Sequence, residues 1–266
     1  MSQLKTRSIQ QSVIQAKAVQ SLRQVSCLQF TLMRVRHGAK HIYLNEQTQI
    51  ARNGDLVIVP AGLEMTLSNQ PDAHGYVCEV LQLDPKIIQF CRTAYPAAVQ
   101  ALQYTEPALC VKLSPVIARL WDELFAASHH GEAIELLEHR ATGLLLGLVL
   151  AGFGGALFID RGSPVVKRVQ QQVLLQPGKE WTVEHMARHL HIGESTLRRQ
   201  LGQEGSSFRK ILEHVRLNTA LGMIQTTTQP IGQIARQCGF ASASRFSNRF
   251  HAHFGMKPLQ LRASVM

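Results

Sequence analysis

The chain has 266 residues, of which 45% are apolar, and a formal net charge of +10; that length suits about two domains, each with its own core. The charge is uneven: residues 164–266 carry 14 Lys and Arg against 5 Asp and Glu, while residues 1–163 carry 14 against 13. Such a balance excludes an acidic or disordered class and makes a polyanion the natural partner of the C-terminal part, with a merely solvated basic surface as the bland alternative.

The five cysteines, Cys27, Cys78, Cys91, Cys110 and Cys238, are scattered and form no CxxC. They suit a reducing cytoplasm and buried thiols better than disulfides or a metal site. The opening MSQLKTRSIQQSV has no apolar segment of signal-peptide type, so a cytoplasmic location is expected.

Residues 1 to about 20 are polar and read as frayed chain or an edge strand. From Ser26 to Leu83 short apolar runs alternate with period two between turn residues. Leu28, Phe30 and Leu32 alternate with polar neighbours. Asp55–Val59 enters from Asn53-Gly54 and stops at Pro60, Met65 and Leu67 mark another strand, and Tyr76–Leu83 a further one. The spacing predicts a small all-β sandwich or barrel whose mouth can hold a ligand. Arg34, Arg36, His37 and Lys40 are candidates to attract an acidic effector there, against the alternative of a solvated strand edge.

After Pro85 the pattern turns helical. Ser114 can cap a helix starting at Pro115 and running through Trp121 and Phe125. A second helix is expected over Gly131–Leu150, with more apolar surface than one face needs, so it either pairs with a second copy or is buried in the monomer. Ala141 to Ile159 holds 19 residues without a charge, close to membrane-spanning length. Its five glycines and its start amid charges from Glu132 favour a buried or paired helix over an anchor. Asp160–Pro164 reads as a linker.

From Val165 the chain is helical, and it repeats. Val183-x-x-Met186-Ala187-Arg188, then Ile192 and Leu197-x-x-x-Leu201, returns as Ile231-x-x-Ile234-Ala235-Arg236, then Phe240 and Phe246-x-x-x-Phe250, displaced by 48 to 49 residues. Each copy reads as helix, turn, helix. Between them, 207–225 carries Phe208, Ile211, Leu212 and Val215 on one stripe and Leu217, Ala220, Leu221 and Ile224 on another, half a turn away. A helix apolar on opposite sides belongs between two packed units and fixes their spacing.

Outside Leu197 and Leu201 lie Ser195, Arg198, Arg199 and Gly202; outside Phe246 and Phe250 lie Ser244, Ser247, Asn248 and His251. These faces are short or hydrogen-bonding, as a helix needs in a major groove, where Arg pairs with guanine and Asn with adenine. Thr182 and Ser242 can cap helices there and, with Arg249, are candidates to meet phosphates. Solvent faces of an ordinary helical bundle remain the alternative.

The run Trp181-Thr-Val-Glu-His-Met-Ala, Ser195-Thr-Leu-Arg-Arg, Ile231-Gly-Gln-Ile-Ala, Cys238-Gly-Phe, Ser244-Arg-Phe-Ser-Asn-Arg-Phe and Phe254-Gly-Met-Lys-Pro258 resembles the AraC family of bacterial transcription regulators. The resemblance covers about the last hundred residues. It implies two helix-turn-helix units reading consecutive major-groove segments, with Ser195, Arg198, Arg199, Ser244, Ser247 and Asn248 at the family's base-contacting positions. Two departures matter: Gly193 replaces the usual Ser before the first recognition helix, and Asn248 replaces an Arg common in the second. Through Gly54–Pro60 the N-terminal half resembles the family's cupin-like effector domain. The implied architecture is α+β: a cupin-like β-barrel or sandwich over 1–110, a helical dimerisation segment over 111–159, a linker at 160–164, and an all-α domain over 165–266. That last part would hold units at about 165–206 and 226–262, joined by the 207–225 helix.

The implied partners are promoter or operator DNA, a small-molecule effector, a second copy of the chain and RNA polymerase. Activator is the expected label, although nothing in the residues separates activation from repression. No cofactor or metal is expected. The histidines of the β region, His37, His41 and His74, lack cupin-oxygenase spacing, and His185-x-x-x-His189 and His251-x-His253 read as surface or phosphate-proximal residues. No GxSxG, P-loop or GxGxxG occurs. A cupin-type enzyme with an accessory basic domain and a membrane-anchored regulator are the competing readings.

Overall fold

Alternating apolar residues in the first half and 3.6-residue periodicity in the second produce two differently built parts. The computed structural model describes residues 8–44, 46–102, 109–153, 155 and 164–265. The N-terminal part is a two-sheet antiparallel sandwich and does not close into a barrel. One sheet contains β1 (Ile9–Ala16), β3 (Phe30–His37), β6 (Asp55–Val59), β8 (Tyr76–Leu83) and β9 (Cys110–Lys112), in the order β1-β8-β3-β6-β9. The other contains β2 (Gln20–Ser26), β4 (Ala39–Leu44), β5 (Gln47–Ala51) and β7 (Glu64–Gln70), in the order β2-β7-β4-β5. The polar opening is thus an edge strand from Ile9 onward. The β4–β5 hairpin and the return strand β9 were not expected. β9 follows α1 (Pro85–Ala94) and α2 (Pro96–Ala101), so the sheet runs across residue 110 rather than ending there.

Helices α3 (Pro115–His129) and α4 (Ile134–Leu150) close one side of the sandwich. Ser114 caps α3 as expected, its hydroxyl accepting from the Ile117 amide. Trp121 is wholly buried, and its indole N–H donates to Glu79 of β8. Most of the apolar surface of α4 is used inside the monomer, where Leu137, Ala141, Leu144, Leu145 and Leu148 join the sandwich core, while Leu136 and Leu150 stay exposed. At Gly147 an added Cβ would lie 3.1 Å from Leu120, so the glycine lets α3 and α4 approach. Among the described residues no helix is long and apolar enough to cross a membrane. Residues 154 and 156–159 of the uncharged stretch, and the linker except Pro164, lie outside the described residues.

The C-terminal part is α5 (Pro164–Leu175), α6 (Val183–His189), α7 (Glu194–Gln203), α8 (Phe208–Thr226), α9 (Ile231–Gln237), α10 (Ala243–Phe254) and α11 (Pro258–Ser264). It forms two cores. Val169, Met186, Leu197 and Leu201 gather with Phe208, Ile211 and Val215 of α8, and Ile234, Phe246, Phe250 and Phe254 gather with Leu217, Ala220, Leu221 and Ile224 of the same helix. The second core also takes in Leu22, Val25 and Leu67 of β2 and β7. The second unit therefore docks on the sandwich. β2 carries a bulge between Leu22 and Val25, where Gln24 holds φ 51°, a conformation a non-glycine residue adopts only when its surroundings impose it.

Candidate nucleic-acid interface

Each helix-turn-helix is locked by a cap and a buried stripe. Thr182 accepts from the His185 amide to start α6, and Ser242 accepts from the Arg245 amide to start α10. Gly193 starts α7 without a side-chain hydrogen bond, leaving that cap weaker. Along α7, Leu197 and Leu201 are buried while Ser195, Arg198, Arg199 and Gly202 are exposed. Along α10, Phe246, Phe250 and Phe254 are buried, Ser244, Asn248 and His251 are exposed and Ser247 is half-buried.

The cations on these faces are weakly held. Arg198 sits 3.6 Å from Glu194 one turn earlier, both largely in water. Such a pair is worth only a few tenths of a kcal/mol and exchanges readily for a phosphate or base. Arg249 sits 3.4 Å from Glu213 of α8, which ties α10 to the connector. The hydroxyls of Thr182 and Ser242 are already used as caps, so their contribution toward a phosphate falls to the exposed amides of the helix starts.

A clamp not anticipated from the sequence joins the two units beside α8. Arg216 donates through Nε to the Pro177 carbonyl and through Nη2 to the Lys179 carbonyl, both at 2.9 Å, reaching the α5–α6 turn. Its guanidinium lies against Gly239, whose φ of +78° and lack of Cβ make the room; an added Cβ would stand 2.5 Å from Nη2. Gly178 is as close on the other side, with the Gln237 carbonyl of α9 2.5 Å from where a Cβ would be. The paired glycines and the arginine hold the two units in one arrangement. The signal in the sequence was Gly239 within Cys238-Gly-Phe, but its partner is 23 residues away and unreadable locally.

The effector candidates separate. Arg34 and Arg36 are not a solvated edge, because β3 is central: Arg34 Nη1 donates to Asp122 at 2.9 Å, and Arg36 pairs with Glu79 at 2.9 Å and with Asp122. The two guanidiniums hold the Asp122 carboxyl below its ordinary range, although burial opposes them. His37 is exposed, its ring 5.9 Å from that of His74. Lys40 differs from all three. It is 1% exposed, points between the sheets, sits 5.4 Å above the Tyr76 ring and donates to Asn69 at 2.6 Å. Burial pushes its amine below the ordinary lysine value. No carboxylate pairs with it among the described residues, which is costly for a buried cation.

The five cysteines are free thiols, four buried and Cys110 half-buried. His189 packs edge-on against Trp181 at 5.3 Å. His253 is not a surface residue: it is half-buried against His214 of α8. No cluster of three His, Cys, Asp or Glu suited to a metal is formed among the described residues.

Two stacked helix-turn-helix units on one shared helix define a DNA-binding class of domain. Residues 186–264 match a family model described as a helix-turn-helix domain. The chain is 34% identical over 100 residues to the urease operon transcriptional activator of Escherichia coli, a match covering 38% of this chain and 34% of that protein. It is 30% identical over 165 residues to the HTH-type transcriptional regulator YdeO of Escherichia coli K12, covering 60% and 64% respectively. The chain thus spans between about a third and just under two thirds of the curated relatives named here. Over its whole length the fold is that of ToxT from Vibrio cholerae: a structure of that protein with bound unsaturated fatty acid superposes with a TM-score of 0.68 at 16% identity, covering 100% of this chain and 98% of that one.

Proposed function

We propose that the chain is a sequence-specific DNA-binding transcription regulator whose two recognition helices, α7 and α10, read neighbouring major-groove segments of a promoter. The observation that carries this is the pair of exposed polar faces, Ser195, Arg198, Arg199 and Gly202 on one helix and Ser244, Ser247, Asn248 and His251 on the other, held by a connector packed on both sides. Relatives named as transcription regulators support the reading. It is a cytoplasmic, non-catalytic role, with RNA polymerase as a further partner. Dimerisation is assigned to the 111–159 helices, where Leu136 and Leu150 remain exposed beside the buried stripe.

The N-terminal sandwich is the effector domain, and the effector is a small molecule bearing a carboxylate. Lys40, a buried cation with no paired carboxylate among the described residues, supplies the anchor. That a structurally similar protein has been seen with a bound unsaturated fatty acid supports this class.

The test is equilibrium binding of the full chain to duplexes selected from a random pool, at several salt concentrations. Arg198→Ala or Arg199→Ala should weaken binding to the selected site by about 1–3 kcal/mol if that arginine reads a base. Affinity for selected and scrambled duplexes that never separates would overturn the proposal.

A further inference from the structure

The second helix-turn-helix unit is sewn to the sandwich by contacts that no DNA-reading role requires. The Lys17 amide donates to the Ser264 carbonyl at 2.7 Å, and the Ser26 amide donates to Asn218 Oδ1 at 3.0 Å. Gln20 is wholly buried, donates to Ser264 at 3.0 Å and accepts from Asn69 and Gln225. Arg23 fills the space left by Gly255, whose φ of +78° ends α10. Within this seam two imidazoles meet: the His214 and His253 rings are 5.9 Å apart, edge to face. His253 lies against Gln24, the strained residue of the β2 bulge, and its Nε2 is buried with no hydrogen-bond partner.

We propose that the His214–His253 pair is a proton-operated latch: both rings must be neutral for the second helix-turn-helix unit to stay docked on the β2 bulge, and acidification releases it. A proton on Nε2 would place an N–H where no acceptor waits, and a proton on each ring would set two cations side by side. The charged groups facing the pair do not rescue it. Glu64 of β7 and Glu213 of α8 favour the charged His253, but Glu213 is engaged by Arg249 of α10. Burial outweighs the carboxylates, lowering His253 and taking His214 down to about 4 from 6.5.

The sign follows from those directions. The docked state binds fewer protons than the released one, so docking is at full strength above the released-state value of 6.5 and is lost progressively as pH falls toward 4. With release returning His214 fully to its ordinary value, the docking constant weakens by at most about tenfold at pH 5.5 and about thirtyfold at pH 5.

Hydrogen exchange of the full chain, corrected for the intrinsic pH dependence of amide exchange, reads it directly. The amides of Lys17 and Ser26 cross the seam and should lose about tenfold in protection between pH 7.5 and 5.5, while α6 and α7 keep theirs. With His214→Phe and His253→Phe together, which keep ring shape without a titrating nitrogen, protection should not change between the two pH values. Unchanged protection in the native chain, or equal loss in the double variant, overturns the latch. Should the double variant fail to fold, NMR titration of the native imidazoles decides: values well below 6.5 support the latch, and both rings titrating at the ordinary value refute it.

Discussion

Ile211 and Ile224 are the same residue type on the same helix, 3% and 0% exposed, yet they serve different cores. They lie about 220° apart around α8, so each faces a different helix-turn-helix unit. Truncating a buried isoleucine to alanine costs about 2–5 kcal/mol when the cavity does not collapse. If that loss is confined to one unit, its local opening constant rises about 30-fold to a few thousandfold. Ile211→Ala should therefore raise hydrogen exchange across Met186–Gln203 and spare Ile231–Phe254. Ile224→Ala should do the reverse, and should also loosen β2, because Leu22 and Val25 share its core. If either variant opened both units equally, the connector would belong to one continuous core, and the account of two separately held reading heads would be refuted.

Gly239→Ala should cost at least about 1–2 kcal/mol, since it meets both a left-handed backbone and the Arg216 guanidinium; a melting temperature unchanged from the native chain would show that the clamp can yield. Ser242→Ala should destabilise α10 by about 0.5–2 kcal/mol, whereas Gly193→Ser should stabilise α7 by a few tenths; chemical denaturation reads both, and opposite signs would rule out the capping argument. Lys40→Met should change thermal stability little, because removing a buried charge with no paired carboxylate among the described residues offsets the loss of the hydrogen bond to Asn69. The native chain should gain stability as pH rises through the lowered Lys40 value toward the ordinary 10.5, and the Met variant should lose that slope. A large loss of stability in Lys40→Met would instead make the amine a structural hydrogen-bond donor.

What the sequence made readable was local. Caps at Ser114, Thr182 and Ser242, the stop at Leu150 and the two stripes of α8 are set by residues within a few positions of one another, and the structure has them where the pattern requires. The reading failed where partners are distant. Arg34 and Arg36 looked like solvent-facing cations because Asp122, which neutralises them, arrives with a helix more than 80 residues later. The β4–β5 hairpin mixes polar and apolar residues without a regular alternation. His253 looked like its neighbour His251, yet docking on β2 buries one and leaves the other exposed. The seam itself rests on Gln20, Asn69, Asn218 and Gln225, polar residues that no hydrophobic pattern marks for burial.

Hydroxyl-radical footprinting of the full chain on a selected duplex tests the central claim most directly. Two protected major-groove segments about one helical turn apart are expected. Arg198→Ala with Arg199→Ala should erase one segment, and Asn248→Ala the other. A single protected segment, or loss of both segments from either change, would contradict two separately mounted recognition helices.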